Sequence, residues 1–124
     1  MPVRSLRSSV LRWPSREEVE RAVRAWSQAL GDADPAVMAV GYFGSYARGD
    51  WGVGSDLDIV VLVDATDLPF ERRPTRYDAT ELPVPADVLV YTVEEWASAI
   101  DRPGLPRTAA TEAVWVYRRQ PSPA

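Results

Sequence analysis

Two apolar runs, VMAVGYF over residues 37–43 and LDIVVLV over residues 57–63, leave this chain few ways to fold. Each is rich in β-formers, too short for a core helix and bounded by turn residues, so both read as buried strands. The stretch joining them is Gly44-Ser45, ten further residues, then Asp56-Leu57-Asp58. A strand that stops at Gly44-Ser45 and turns into Tyr46-Ala47-Arg48 puts free backbone N–H groups and a hydroxyl at the mouth of a short helix, where phosphate is favoured. Glycine lets the backbone come close to such a group, because it has no side chain in the way. Ser45 also suits a helix cap, a role compatible with phosphate binding.

Asp56 and Asp58 lie two apart on the second strand, and a period of two sends both carboxylates to one face while Leu57 turns into packing. Two like charges so placed repel unless a cation sits between them. Oxygen-only ligands suit Mg²⁺ or Mn²⁺, which complete their shells with water and substrate phosphates. A third acid is expected on the segment Ala86 to Tyr91 (ADVLVY), another β-rich run that could lie beside the Asp56–Asp58 strand. Asp87 is the candidate, with Asp78 and Glu81 as rivals. The plainer readings are acids at the solvent edge of a strand, and an Asp that merely starts one after Pro85-Ala86. The conjunction with Gly44-Ser45 favours a metal-and-phosphate site.

The stretch GSYARGDWGVGSDLDIVVLV resembles the signature of the minimal nucleotidyltransferases, a branch of the DNA polymerase β-like superfamily. The GS-x10-DxD spacing matches without a gap, and Ala47-Arg48-Gly49 and Ser55 also fit. The resemblance runs over roughly residues 37 to 117. It implies an α/β (α+β) fold: one small nucleotidyltransferase domain whose mixed sheet has about three to five strands flanked by helices. It further implies transfer of a nucleoside monophosphate, AMP foremost, from a nucleoside triphosphate such as ATP to an acceptor, with a carboxylate pair and a third acid holding divalent ions. By that likeness Gly44 and Ser45 grip the triphosphate and Arg48 joins them or braces the loop. Asp56 and Asp58 bind metal, and Asp87 adds a ligand and positions or deprotonates the acceptor.

Small stand-alone members of the family are often antitoxins of a separate helical protein, of the kind called HEPN, so the resemblance suggests such a partner. Two other readings stay open: a small-molecule nucleotidyltransferase that needs a partner subunit, and a non-catalytic module that binds nucleotide or partner. Base preference has no local signature. A homodimer through the final strand or the tryptophans is compatible with the sequence, and ordinary packing explains those residues equally well.

Composition narrows the chemistry. The 124 residues, 46% hydrophobic and 26% charged, suffice for one core. There is no histidine and no cysteine, which removes an imidazole base, a catalytic thiol, a disulfide and the usual zinc ligands. All 14 basic residues are arginine, so cationic contacts to phosphate come from guanidinium forks and a lysine nucleophile is excluded. A net charge of -4 argues against binding a nucleic-acid polymer, which depends on neutralising phosphates. No apolar run reaches the length of a membrane span, and MPVRSLRSSVLRW lacks the apolar centre of a secretory signal, so a cytoplasmic location is the default expectation.

Along the chain, residues 1–14 read as a loose arm, 15–117 as the domain and 118–124 as a polar tail. A helix is predicted from about Ser15 to Leu30, with Ser15 and Glu18 at capping-box spacing, Gly31 placed to end it, and Val19, Ala22, Val23, Trp26 and Leu30 facing the core. Pro69, Pro74, Pro83 and Pro85 exclude a long helix between the second and third strands. Arg72, Arg73 and Arg76 in that segment either reach a phosphate or acceptor or form a solvated surface. Thr92 and Glu95 form a second capping box opening a helix to about Ile100, Pro103-Gly104 ends or bends it, and AVWVY over residues 113–117 reads as a last strand. Trp51 stacks on a base or folds onto local apolar surface, while Trp96 and Trp115 suit core or interface. Asp50 suits a surface acid or a partner for Arg48, and Asp64 lies at the wrong end of its strand for a ligand.

Overall fold

A computed structural model of the chain describes residues 13–52 and 54–119. The elements are helix α1 (Arg16–Ala33), strand β1 (Val37–Phe43), the one-turn helix α2 (Ser45–Arg48), strand β2 (Leu57–Val63), a 3₁₀ helix (Phe70–Arg76), strand β3 (Ala86–Thr92), helix α3 (Val93–Ala99), helix α4 (Leu105–Glu112) and strand β4 (Val114–Arg118). The four strands form one sheet in the order β3-β2-β1-β4. β1 runs antiparallel to both β2 and β4, and β2 runs parallel to β3, so the sheet is mixed, as expected.

β2 is central, which explains why LDIVVLV shows no polar alternation. Leu57, Ile59, Val61 and Val63 pack with Val19 and Val23 of α1 on one face of the sheet. Val60 and Leu62 pack with Ala39, Phe43, Trp96 of α3 and Ala109 of α4 on the other. By the same alternation, Asp58 belongs to the α3/α4 face.

Both capping boxes form. The Ser15 hydroxyl accepts the Glu18 N–H at 3.1 Å while Glu18 accepts the Ser15 N–H at 2.9 Å, and Thr92 with Glu95 repeats the exchange at 3.0 and 2.9 Å. The first helix does not stop at Gly31 but continues to Ala33, with Asp34 closing it through its N–H to the Leu30 carbonyl. Gly31 serves packing instead: a Cβ there would run into the Tyr117 ring, so its bare backbone lets β4 lie against α1. Helix α4 was not anticipated. The preceding helix does end ahead of Pro103-Gly104, yet Gly104 also caps a new one, in whose first turn Pro106 is accommodated.

Residues 1–12 of the expected arm and 120–124 of the expected tail lie outside the described residues. Inside those limits the flanks are anchored. Trp13 packs against the core and donates to the Tyr46 hydroxyl at 3.1 Å. Arg119 donates to the carbonyls of Val37 (2.8 Å), Gly31 (2.6 Å) and Asp34 (3.2 Å), tying the chain after β4 to the end of α1.

Candidate active site

Gly44 ends β1 at φ 77°, ψ −151°, a conformation open to glycine and costly for other residues. The reason for a glycine is local and close: a Cβ on Gly44 would meet the Asp58 carboxylate oxygen. The turn and the first acid of the site therefore lie against each other. After Gly44 the chain winds through α2, whose Tyr46 is buried and whose Gly49 closes it at φ 87° with an N–H to the Ser45 carbonyl at 2.9 Å. Trp51 stacks flat on Tyr46, ring centres 5.3 Å apart and planes 7° apart, which makes it part of the loop's packing.

The parallel register of β2 and β3 sets Asp58 directly opposite Asp87. The two acids share a 350 Å³ hollow with Phe43, Val88, Leu89 and Leu105. Asp56, exposed one residue before β2, joins the pair electrostatically. Burial pushes the Asp58 carboxyl above its ordinary range, and the negative charges of Asp87 and Asp56 add to the shift, as does Glu112, with Arg48 opposing them. Neither rival acid lines that hollow: Asp78 accepts the Thr80 N–H of its own loop at 2.9 Å, and Glu81 lies with it against α1.

Such a set fits a hard divalent cation by its chemistry, being oxygen-only and poorer in cations than in acids. Among the described residues, no three acids are gathered into a group that could by itself hold a metal ion. An ion of the Mg²⁺ type asks for less, since one or two carboxylates with substrate phosphates and water complete its shell. The register pair Asp58 and Asp87 meets that requirement.

One acid at the site was not foreseen. Glu112, the last residue of α4, accepts the Gly44 N–H at 2.9 Å and the Arg48 Nη1–H at 3.1 Å on the same oxygen. Arg48 donates its Nε–H to Asp50 at 3.1 Å, bearing out Asp50 as a local partner. The guanidinium is thus engaged by two acids within the protein. A signal for Glu112 exists only in strand register: Tyr42 pairs with Val114, so two residues further along β1 and two back from β4, Gly44 meets Glu112.

A model of the nucleotidyltransferase domain family matches residues 20–116. The chain belongs to that family. The match bears out the resemblance drawn from GS-x10-DxD. Among solved structures, the chain is similar to a candidate nucleotidyltransferase from Sulfolobus solfataricus, at 19% identity over 84% of each chain with a TM-score of 0.63. It is also similar to a toxin–antitoxin solved with AMP-PNP, at 18% identity over 86% of this chain and 76% of that one with a TM-score of 0.49. At 19% identity the first likeness speaks for the fold alone. No curated protein matches the chain.

Within the nucleotidyltransferase domain, the three arginines before β3 have separate fates. Arg73 is buried, donating to Glu95 at 2.7 and 3.1 Å, to the Leu68 carbonyl at 2.9 Å and to the Val90 carbonyl at 3.2 Å. Arg76 lies 3.6 Å from the Asp34 carboxylate. Arg72 is exposed. None of the three lines the Asp58–Asp87 hollow. Trp96 is buried and meets Trp115 edge-on at 6.1 Å, a core contact. Among the described residues no helix is long and apolar enough to cross a membrane.

Proposed function

We propose that this nucleotidyltransferase domain transfers AMP from ATP to an acceptor on a separate helical partner protein of the HEPN kind, as an antitoxin does. The observation that carries the transfer reading is Asp58 set opposite Asp87 in register, both on one hollow and Asp58 against the Gly44 backbone. The partner follows from the sequence resemblance to small antitoxin nucleotidyltransferases.

Asp58 and Asp87 would hold a divalent ion, Mg²⁺ or Mn²⁺, with Asp56 turning to it from just before β2 once nucleotide is bound, and the ion when bound supplies positive charge to the triphosphate and to the departing pyrophosphate. Gly44 and Ser45 hold the triphosphate, Gly44 by letting it come close to a backbone without a side chain and Ser45 through its N–H and hydroxyl, while the Gly44 N–H stays on Glu112 and Arg48 closes the loop behind them. Asp87 is exposed at the mouth of the hollow, where it receives the proton of the acceptor hydroxyl. The acceptor oxygen bonds to the α-phosphorus as the bond from that phosphorus to the pyrophosphate oxygen breaks, and pyrophosphate leaves with the electron pair. The chain's contribution is alignment and charge placement, and it requires neither histidine nor lysine.

The test is label transfer from α-labelled ATP, in the presence of Mg²⁺, to a helical protein that co-purifies with the chain. Alanine at Asp56 or Asp58 abolishes transfer while circular dichroism stays that of the folded chain. Full turnover by a folded Asp56→Ala/Asp58→Ala double variant refutes the proposal.

A further inference from the structure

We infer that Glu112 is the positioning residue of the phosphate turn, a reading that rests on Gly44-Ser45 as the triphosphate grip and names what keeps that grip in shape. Gly44 lies just beyond the last backbone pairing of β1 with β4, Tyr42 with Val114. Its N–H would have no partner from the neighbouring strand, because the chain opposite is already the end of α4. The Glu112 side chain supplies the missing acceptor at 2.9 Å. The same oxygen takes the Arg48 Nη1–H at 3.1 Å, so one carboxylate ties the first residue of the turn to the last residue of α2.

The two anchors of Arg48 differ in strength. The Asp50 side chain is 61% exposed and that of Glu112 only 21%, so solvent weakens the first contact more than the second. α4 also opens with Leu105, a wall of the Asp58–Asp87 hollow. Glu112 therefore joins the phosphate turn to the same helix that walls the acidic pair. Without it, the Gly44 N–H loses its acceptor and Arg48 is left to an exposed partner. Nucleotide must then order the loop as it binds, and affinity falls.

The test measures ATP affinity in the presence of Mg²⁺ by calorimetry on the full chain, together with hydrogen exchange at the Gly44 amide. Glu112→Ala is expected to bind ATP about tenfold more weakly, the size of one charge-assisted hydrogen bond, and to exchange the Gly44 amide faster. Glu112→Gln keeps an oxygen for that amide and returns most of both. Glu112→Ala binding as wild type with Gly44 still protected overturns the inference while leaving the nucleotide reading intact. Wild type failing to bind ATP overturns the nucleotide reading itself and the inference with it. Should Glu112→Ala fail to fold, Glu112→Asp decides, because its carboxylate is one methylene too short to keep both contacts: weaker ATP binding with faster exchange at the Gly44 amide is expected, and wild-type values of both overturn the inference.

Discussion

Replacing Asp58 by asparagine separates what the site needs from what the fold prefers. The folded protein raises the Asp58 carboxyl above its ordinary range, first by burial and then through Asp87 and Asp56. A group shifted that way favours the folded state in its neutral form, and the favour is lost as pH rises through the raised value. At neutral pH the cation-free protein therefore carries an unfavourable charge beside Gly44. Asp58→Asn removes it, and we expect the variant to melt a few degrees higher than wild type without added cation, while losing transfer. Differential scanning calorimetry checks the first half, and an unchanged or lower Tm contradicts it. The motif around Asp58 was legible because Gly44, Ser45, Asp56 and Asp58 sit on one local segment. Asp87 could be named from its β-rich context, but its place opposite Asp58 depends on strand register.

At the scale of elements, the crossover from β2 to β3 is held by Arg73, whose guanidinium bridges the 3₁₀ helix to the Val90 carbonyl of β3 and to Glu95 of α3. Glu95 is simultaneously the capping-box residue of α3, so one carboxylate serves two contacts. Arg73→Ala strands the Leu68 and Val90 carbonyls and is expected to cost about 2–4 kcal/mol, read by urea denaturation. A loss within experimental error would show the buried guanidinium to be dispensable. The Glu95 carboxyl is held below its ordinary value, first by Arg73 and then by the Thr92 N–H. Its stabilisation is present above the ordinary glutamate range and is lost as pH falls through the lowered value, so Glu95→Gln flattens the acid arm of the stability curve. The two capping boxes were legible because each lies within four consecutive residues. α4 was not: its proline sits at a position that suits a helix start, and composition alone does not distinguish that from a stop.

At the scale of the whole molecule, a mixed sheet with α1 on one face and α3 and α4 on the other brings residues from distant parts of the chain to one hollow. Phe43, Asp58, Asp87 and Leu105 come from four separate elements. The strands themselves were visible as apolar runs, and a sheet of this kind followed. The order β3-β2-β1-β4 and its register were not visible, because pairing is set by long-range packing that no local segment encodes. That is why Glu112, which reaches the Gly44 turn only through the β1–β4 pairing, went unnamed while Asp50 beside Arg48 did not. On the function proposed above, this hollow moves the nucleotidyl group and not the terminal phosphate. Incubation of the full chain and a helical protein that co-purifies with it, with Mg²⁺ and ATP labelled at either the α- or the γ-phosphate, tests this directly. That protein is expected to acquire the α-label and none of the γ-label, which departs in pyrophosphate; γ-label on it, or neither label with ATP bound, overturns nucleotidyl transfer as the function of the hollow.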